Sequence, residues 1–187
     1  MELAAPQRIA LYPAGQNERH PAGRGGLSCP LTLSELRGYE KKNQALQAFC
    51  TKISSQYEEG QRIPFRAITA IPSHKTHWDK LQTGDWALFY KRPYYFACAQ
   101  IKFTEQSNEL AKTIFRLEVQ EEQESLDELF CFFRPDPCVN YVTIDRTAIS
   151  YPKSGALRFV VIDHKDEVDR IVSVVRAARR HTLTPTS

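Results

Sequence analysis

The residues best suited to chemistry lie between Trp78 and Phe96. Seven aromatic side chains fall within those 19 positions: Trp78, Trp86, Phe89, Tyr90, Tyr94, Tyr95 and Phe96. Rings at that density build either a core or a pocket for a planar ligand. A nucleic-acid base stacked on such rings gains about 1–3 kcal/mol, which offsets the few kcal/mol lost when it leaves a duplex. Strand alternation places Trp86, Leu88 and Tyr90 on one face and Ala87 and Phe89 on the other, so both faces carry rings. Some of these rings must fill a core, and the rest can line a pocket. Thr69, Ser73, Asn108 and Asp85 are the polar groups that would read a base edge. Lys75, Lys80, Lys91 and Arg92 flank the cluster as candidate phosphate ligands. The purely structural alternative makes the rings core and cross-strand pairs. In that reading Asp85 closes a turn after Gly84 and Asn108 caps a helix.

Catalytic templates do not match. There is no Gly-rich phosphate loop, no GxSxG elbow and no HExxH. His74 and His77 stand three apart, and Cys131 and Cys138 enclose six residues, unlike a zinc knuckle. Asp136, Asp145 and Asp163 lack the PD…(D/E)xK spacing of a metal-dependent nuclease. The expectation is a binding module with no catalytic residue, no metal and no cofactor. Any nuclease activity would then reside in a separate domain or partner.

These residues need elements to hold them. Residues 1–30 carry four of the eight glycines and read as an irregular lead-in, within which Ile9–Tyr12 could form a short strand. Residues 31–60 read as one amphipathic helix. Thr32 and Glu35 have capping-box spacing, an apolar stripe runs from Leu36 to Tyr57, and Gly60 follows as a terminator. Residues 61–164 read as the core domain. Its strands are expected at Phe65–Ile71, Trp86–Tyr90, Tyr94–Phe103, Leu129–Phe133, Tyr141–Asp145 and Leu157–Asp163. Lys91–Pro93 turns a hairpin, and short helices are expected over Ser73–Leu81, capped by Ser73, and Gln106–Lys112. Residues 165–187 read as a closing helix, with stripe Val168, Ile171, Val172 and Val175, and a basic tail. The fold class is α+β: a small, curved, barrel-like mixed sheet with peripheral helices.

Bulk properties narrow the partners. A net charge of +3 hides segregation. Seven bases face two acids over residues 61–103, eight acids face two bases over 104–129, and eight bases face four acids over 146–181. Two basic segments and one acidic face suit a polyanion partner, although such charges can also be plain solvated surface. No apolar run reaches the length of a membrane span. The five cysteines are odd in number and scattered. That pattern suits buried free thiols in a cytosolic or nuclear protein.

Trp78-Asp-x-Leu-x-x-Gly-Asp-x-x-Leu-Phe-Tyr90, then Ala99-Gln-Ile101 and Asn108-Glu-Leu-Ala111, resembles the EVE-like modules of the PUA superfamily. Relatives include YTH domains and the reader modules of modification-dependent restriction systems. The likeness extends more weakly through Leu129–Phe133 and Leu157–Val161, covering roughly residues 63–163. It implies a small curved β-barrel that accepts a modified nucleotide into an aromatic-walled pocket, with Trp78, Trp86, Tyr90 and the nearby rings Tyr94 and Phe96 as its candidate walls. The implied partner is DNA carrying a modified base, with a nuclease or NTPase as fused domain or companion. RNA binding is the nearest alternative. A protein-interaction module, dimerising through the 31–60 helix, is the alternative from another class.

Overall fold

The computed structural model describes residues 3–13, 26–40, 47–58, 60–70, 72–91, 93–115, 128–134, 140–149 and 159–182. In chain order the elements are β1 (Ile9–Pro13), β2 (Gly26–Thr32), α1 (Leu33–Glu40), α2 (Gln47–Ser54), β3 (Arg62–Thr69), α3 (Pro72–Trp78), β4 (Trp86–Lys91), β5 (Tyr94–Gln106), α4 (Asn108–Phe115), β6 (Glu128–Phe133), β7 (Asn140–Asp145), α5 (Arg146–Ile149), β8 (Val160–Ile162) and α6 (Lys165–Thr182). The α+β class is as expected, with eight strands among the described residues where the sequence pattern suggested five or six. No described helix is long and apolar enough to cross a membrane.

The strands join in the order β2-β3-β6-β5-β4-β1-β8, with β7 also on β5. β1 runs parallel to β4 and antiparallel to β8. The 13-residue β5 links the two halves. Its first part pairs with β4 and β7, and its second with β6. Register shifts fall around Phe96 and Lys102, where β5 carries an extra residue against β4 and β6 respectively. Such bulges bend a sheet and re-aim side chains. The bend is large. In a flat sheet β3 and β1, four steps apart, would lie roughly 19 Å from each other. Here Arg66 of β3 reaches the Pro13 carbonyl of β1 at 3.2 Å, and the Tyr12 hydroxyl meets the Cys131 sulfur of β6.

Three apolar clusters follow from this curvature. On one outer face Phe49, Cys50 and Ile53 of α2, with Leu33 and Leu110, pack on Ile63, Phe65, Phe103, Phe130 and Phe132. On the other, the α6 stripe Val168, Ile171, Val172 and Val175 covers Ile9, Leu11, Trp86, Leu88, Tyr90 and Tyr95. The concave face holds Tyr12, Phe89, Ala97, Ile101, Cys131, Phe133, Phe159 and Val161, with Ile68, Trp78 and Phe96 at its margin.

Two helical expectations change. The capping box forms as read, with Thr32 Oγ1 accepting the Glu35 N–H at 3.2 Å and Glu35 Oε2 accepting the Thr32 N–H at 2.9 Å. The single helix over 31–60 is instead α1 and α2, whose Cα atoms approach within 8 Å of each other. In one straight helix Glu40 and Gln47 would be about 10 Å apart. Residues 41–46, including Asn43 and Leu46 of the stripe, lie outside the described residues. The buried part of that stripe, Cys50, Ile53 and Tyr57, packs on the chain's own sheet. α3 begins at Pro72, a residue favoured in the first helical turn, so Ser73 lies inside the helix rather than capping it. Cys50, Cys98 and Cys131 are buried; burial pushes the Cys98 and Cys131 thiols up to about 12.

Candidate functional site

The concave face gathers side chains from six strands and α3. β4 contributes Phe89, which stacks on Tyr12 at 5.6 Å and meets Phe133 edge-on at 5.3 Å. The bulge in β5 matters here. Tyr95 and Cys98 face α6, whereas Phe96 and Ala97 both belong to the concave side. Ordinary alternation would have kept neighbouring residues on opposite faces. Phe96 thereby lies 6.3 Å from Phe89, half-buried at the margin.

α3 closes one side. His74 and His77 set their rings edge-on to Phe159 at 6.1 and 6.4 Å. His77 Nδ1 accepts the Val161 N–H at 3.3 Å, and Lys80 joins Asp163 at 2.8 Å across the same seam. Trp78 ends the helix half-buried, and its indole N–H has no hydrogen-bond partner among the described residues. Lys75 Nζ lies over the Trp78 ring at 5.6 Å while bonded to Asp79 at 3.0 Å and Gln106 Oε1 at 2.9 Å.

His77 gives a pH prediction. Burial first, then the charges of Lys80 and His74, push it below its ordinary 6.5, against the opposing pull of Asp163. Between that lowered value and 6.5 the unfolded chain binds more protons than the folded one. Stability is therefore complete at neutral pH and falls as pH drops below about 6.5. Thermal melts between pH 7.5 and 5.5 should show this slope. His77→Gln, whose carbonyl still accepts the Val161 N–H, should flatten it.

The expected pocket residues separate. Trp78 and Phe96 reach the concave margin. Trp86 and Tyr90 do not: both are buried under α6, on the face opposite Phe89, and Trp86 Nε1 donates to the Ala4 carbonyl at 2.9 Å. This corrects their assignment as walls, because the helix 80 residues further on covers their face. Tyr94 is 44% exposed at the hairpin apex. Asp85 is buried and committed, its carboxylate accepting the Arg8 and Gln82 N–H groups at 3.0 and 2.9 Å. It joins β1 to the Gly84 turn, where φ is +96°, and reads no base. Asn108 opens α4, but Ser107 Oγ is the cap, accepting the Leu110 N–H at 3.0 Å. Ser73 is exposed. The Thr69 side chain lies outside the described residues.

Of the phosphate candidates, Lys75 and Lys80 already hold carboxylates. Exposed pairs of this kind are worth about 0–1 kcal/mol. The side chains of Lys91 and Arg92 lie outside the described residues. Sequence reading missed Arg66, Tyr12, Cys131 and Phe159. Arg66 was visible only as one base in a basic segment, Cys131 as half of a cysteine pair unlike a zinc knuckle, and Tyr12 and Phe159 only as apolar strand residues.

No family model matches the chain, and no curated protein matches it. Among solved structures it is similar to the crystal structure of an ASCH protein from Zymomonas mobilis, with a TM-score of 0.42 and 10% identity over 90% of this chain and 96% of that one. It is similar also to two point variants of that protein. One has a TM-score of 0.46 and 10% identity, covering 91% of this chain and 98% of that chain. The other has a TM-score of 0.43 and 9% identity, covering 89% and 97%. At these values the likeness decides neither family nor function.

Proposed function

We propose that this chain is a nucleic-acid-binding module of PUA-like type that accepts a modified base of DNA at the concave margin. The observation that carries the reading is Trp78: a half-buried indole beside Phe96's cluster, with a lysine poised over its ring. A base stacking on Trp78 takes the place of Lys75 Nζ, which is then free to meet the adjacent phosphate. That exchange swaps one cation–π contact for base stacking plus an ion pair. The exposed Tyr94, paired with Lys91 across the hairpin, offers a second ring to a neighbouring base. No chemistry on the base is part of this reading.

Fluorescence titration with methylated and unmethylated duplexes is the direct test. Tighter, salt-sensitive binding of a modified duplex is expected. Trp78→Ala should weaken it at least about tenfold, the effect of one lost stack. Equal, negligible and salt-insensitive binding of both duplexes would end the proposal. A matched RNA panel decides between the nucleic acids, and preference for RNA would overturn the DNA assignment.

A further inference from the structure

We infer that Lys102 and Arg134 form an anion clamp that takes a backbone phosphate of the strand whose base stacks on Trp78; this rests on the base-reading function proposed above. The second bulge in β5 places the lysine. Ile101 belongs to the concave cluster and Phe103 to the cluster under α2, so Lys102 is the extra residue between the two faces. Its Nζ lies over the Tyr57 ring at 4.2 Å and donates to the Gln56 carbonyl. Tyr57 in turn donates its hydroxyl to the Phe133 carbonyl at 2.9 Å, and Phe133 pairs with Ile101. Arg134 follows directly, its backbone N–H held by the Gln100 carbonyl at 2.9 Å. Two cations on neighbouring strands are thereby fixed at one corner of the sheet.

Neither cation is matched by an acid. Among the described residues no carboxylate forms an ion pair with Lys102 or Arg134. Lys52, Lys75 and Lys80, by contrast, hold Glu105, Asp79 and Asp163. An ammonium carries three donors, and the Gln56 carbonyl takes one of those on Lys102. Lys102 is half-buried and Arg134 exposed, so both are open to solvent. Burial first, then the Arg134 charge, push the Lys102 amine below its ordinary value, against the pull of Glu58. An anion between the two relieves that repulsion. A phosphate fits best, offering one oxygen to the ammonium and two to the planar guanidinium fork. The clamp also lies in line with Trp78. Four residues of β5 separate Lys102 from Gln106, roughly 13 Å, and Gln106 Oε1 holds the Lys75 ammonium that lies over the Trp78 ring. That span matches about four phosphate steps of a duplex strand. Lys52 and Glu105 lie between and cancel one another.

The test reads the salt dependence of binding to a single strand of about 12 nucleotides. Its centre carries N6-methyladenine or 5-methylcytosine, whichever binds more tightly. Each lost phosphate contact lowers the slope of log affinity against log salt by about 0.7. Lys102→Gln and Arg134→Gln are each expected to lower it by that amount, and the double variant by about twice as much. The ratio of methylated to unmethylated affinity should stay the same in all three. Trp78→Ala should do the reverse, weakening binding while keeping the slope. Lys165→Gln, at an exposed cation that opens α6, is the control and should change neither. The slope is the readout because a merely structural lysine would shift affinity without it. An unchanged slope in folded Lys102→Gln and Arg134→Gln, or an equal fall in Lys165→Gln, overturns the inference and leaves the base-reading function standing. If Lys102→Gln does not fold, Arg134→Gln, altered at an exposed side chain, decides. Inorganic phosphate is titrated alone in parallel. Should it shift the Lys102 and Arg134 amide resonances while neither variant alters the oligonucleotide slope, the clamp serves a free anion and the inference fails. Binding of no oligonucleotide overturns the base-reading function itself, and this inference with it.

Discussion

Trp86→Ala is expected to cost about 3–5 kcal/mol of folding free energy, the range for removing a large buried aromatic. Against a typical total of about 5–15 kcal/mol, that is a third or more of the stability. The indole is 1% exposed among Ile9, Leu88, Tyr95 and the α6 stripe, and its N–H is satisfied by Ala4. No neighbouring side chain can refill the space without moving α6. Urea denaturation should show the midpoint falling sharply. Trp78→Ala, at a half-buried margin, should shift it far less while removing nucleic-acid binding. The opposite pattern would mean that the two tryptophans had been assigned to the wrong roles.

Loss of Asp85 should be nearly as damaging. Asp85→Ala leaves the Arg8 and Gln82 amides without their acceptor, and leaves the Arg8 guanidinium without the carboxylate 3.5 Å away. Breaking a buried pair of this kind costs about 3–5 kcal/mol. Arg8 is partly exposed, so the lower end of that range is expected. Asp85→Asn keeps one acceptor oxygen and should lose about half as much. Amide exchange at Arg8 and Gln82 supplies a local check. Both N–H groups should lose protection in Asp85→Ala before the rest of the sheet does. Global unfolding with unchanged local protection at these two amides would contradict this account.

Local chemistry was legible in the sequence, and long-range covering was not. The Thr32–Glu35 capping box, the hairpin through Lys91–Pro93 and the α6 stripe are all set by neighbours a few residues apart. Each appears in the structure where its spacing placed it. Alternation also separated Trp86 and Tyr90 from Phe89 correctly. What it could not show was which face would be covered by α6 and which would stay at the concave margin, since that depends on a helix 80 residues away. β2 was hidden because a segment with glycine and proline reads as loop, although β3 gives it a partner. Phe96 reached the candidate site through a bulge, which breaks the very period used to assign faces. Arg66 carried no local signal. A single arginine in a strand becomes informative only once Tyr12 and Cys131, 54 residues before it and 65 after, are seen around it.

The seam between α3 and β8 bears on self-association. β8 ends the strand path, and a terminal strand offers its backbone as a template for another molecule. Two features close that route: the strand is only three residues long, and its Val161 N–H is taken by His77. α3 thus works as a plug on the sheet's edge as well as a wall of the concave face. A doubly protonated His77 has no lone pair for Val161. Acid strong enough to protonate His77 in its lowered range would therefore expose an adhesive edge as it loosens the helix carrying Trp78.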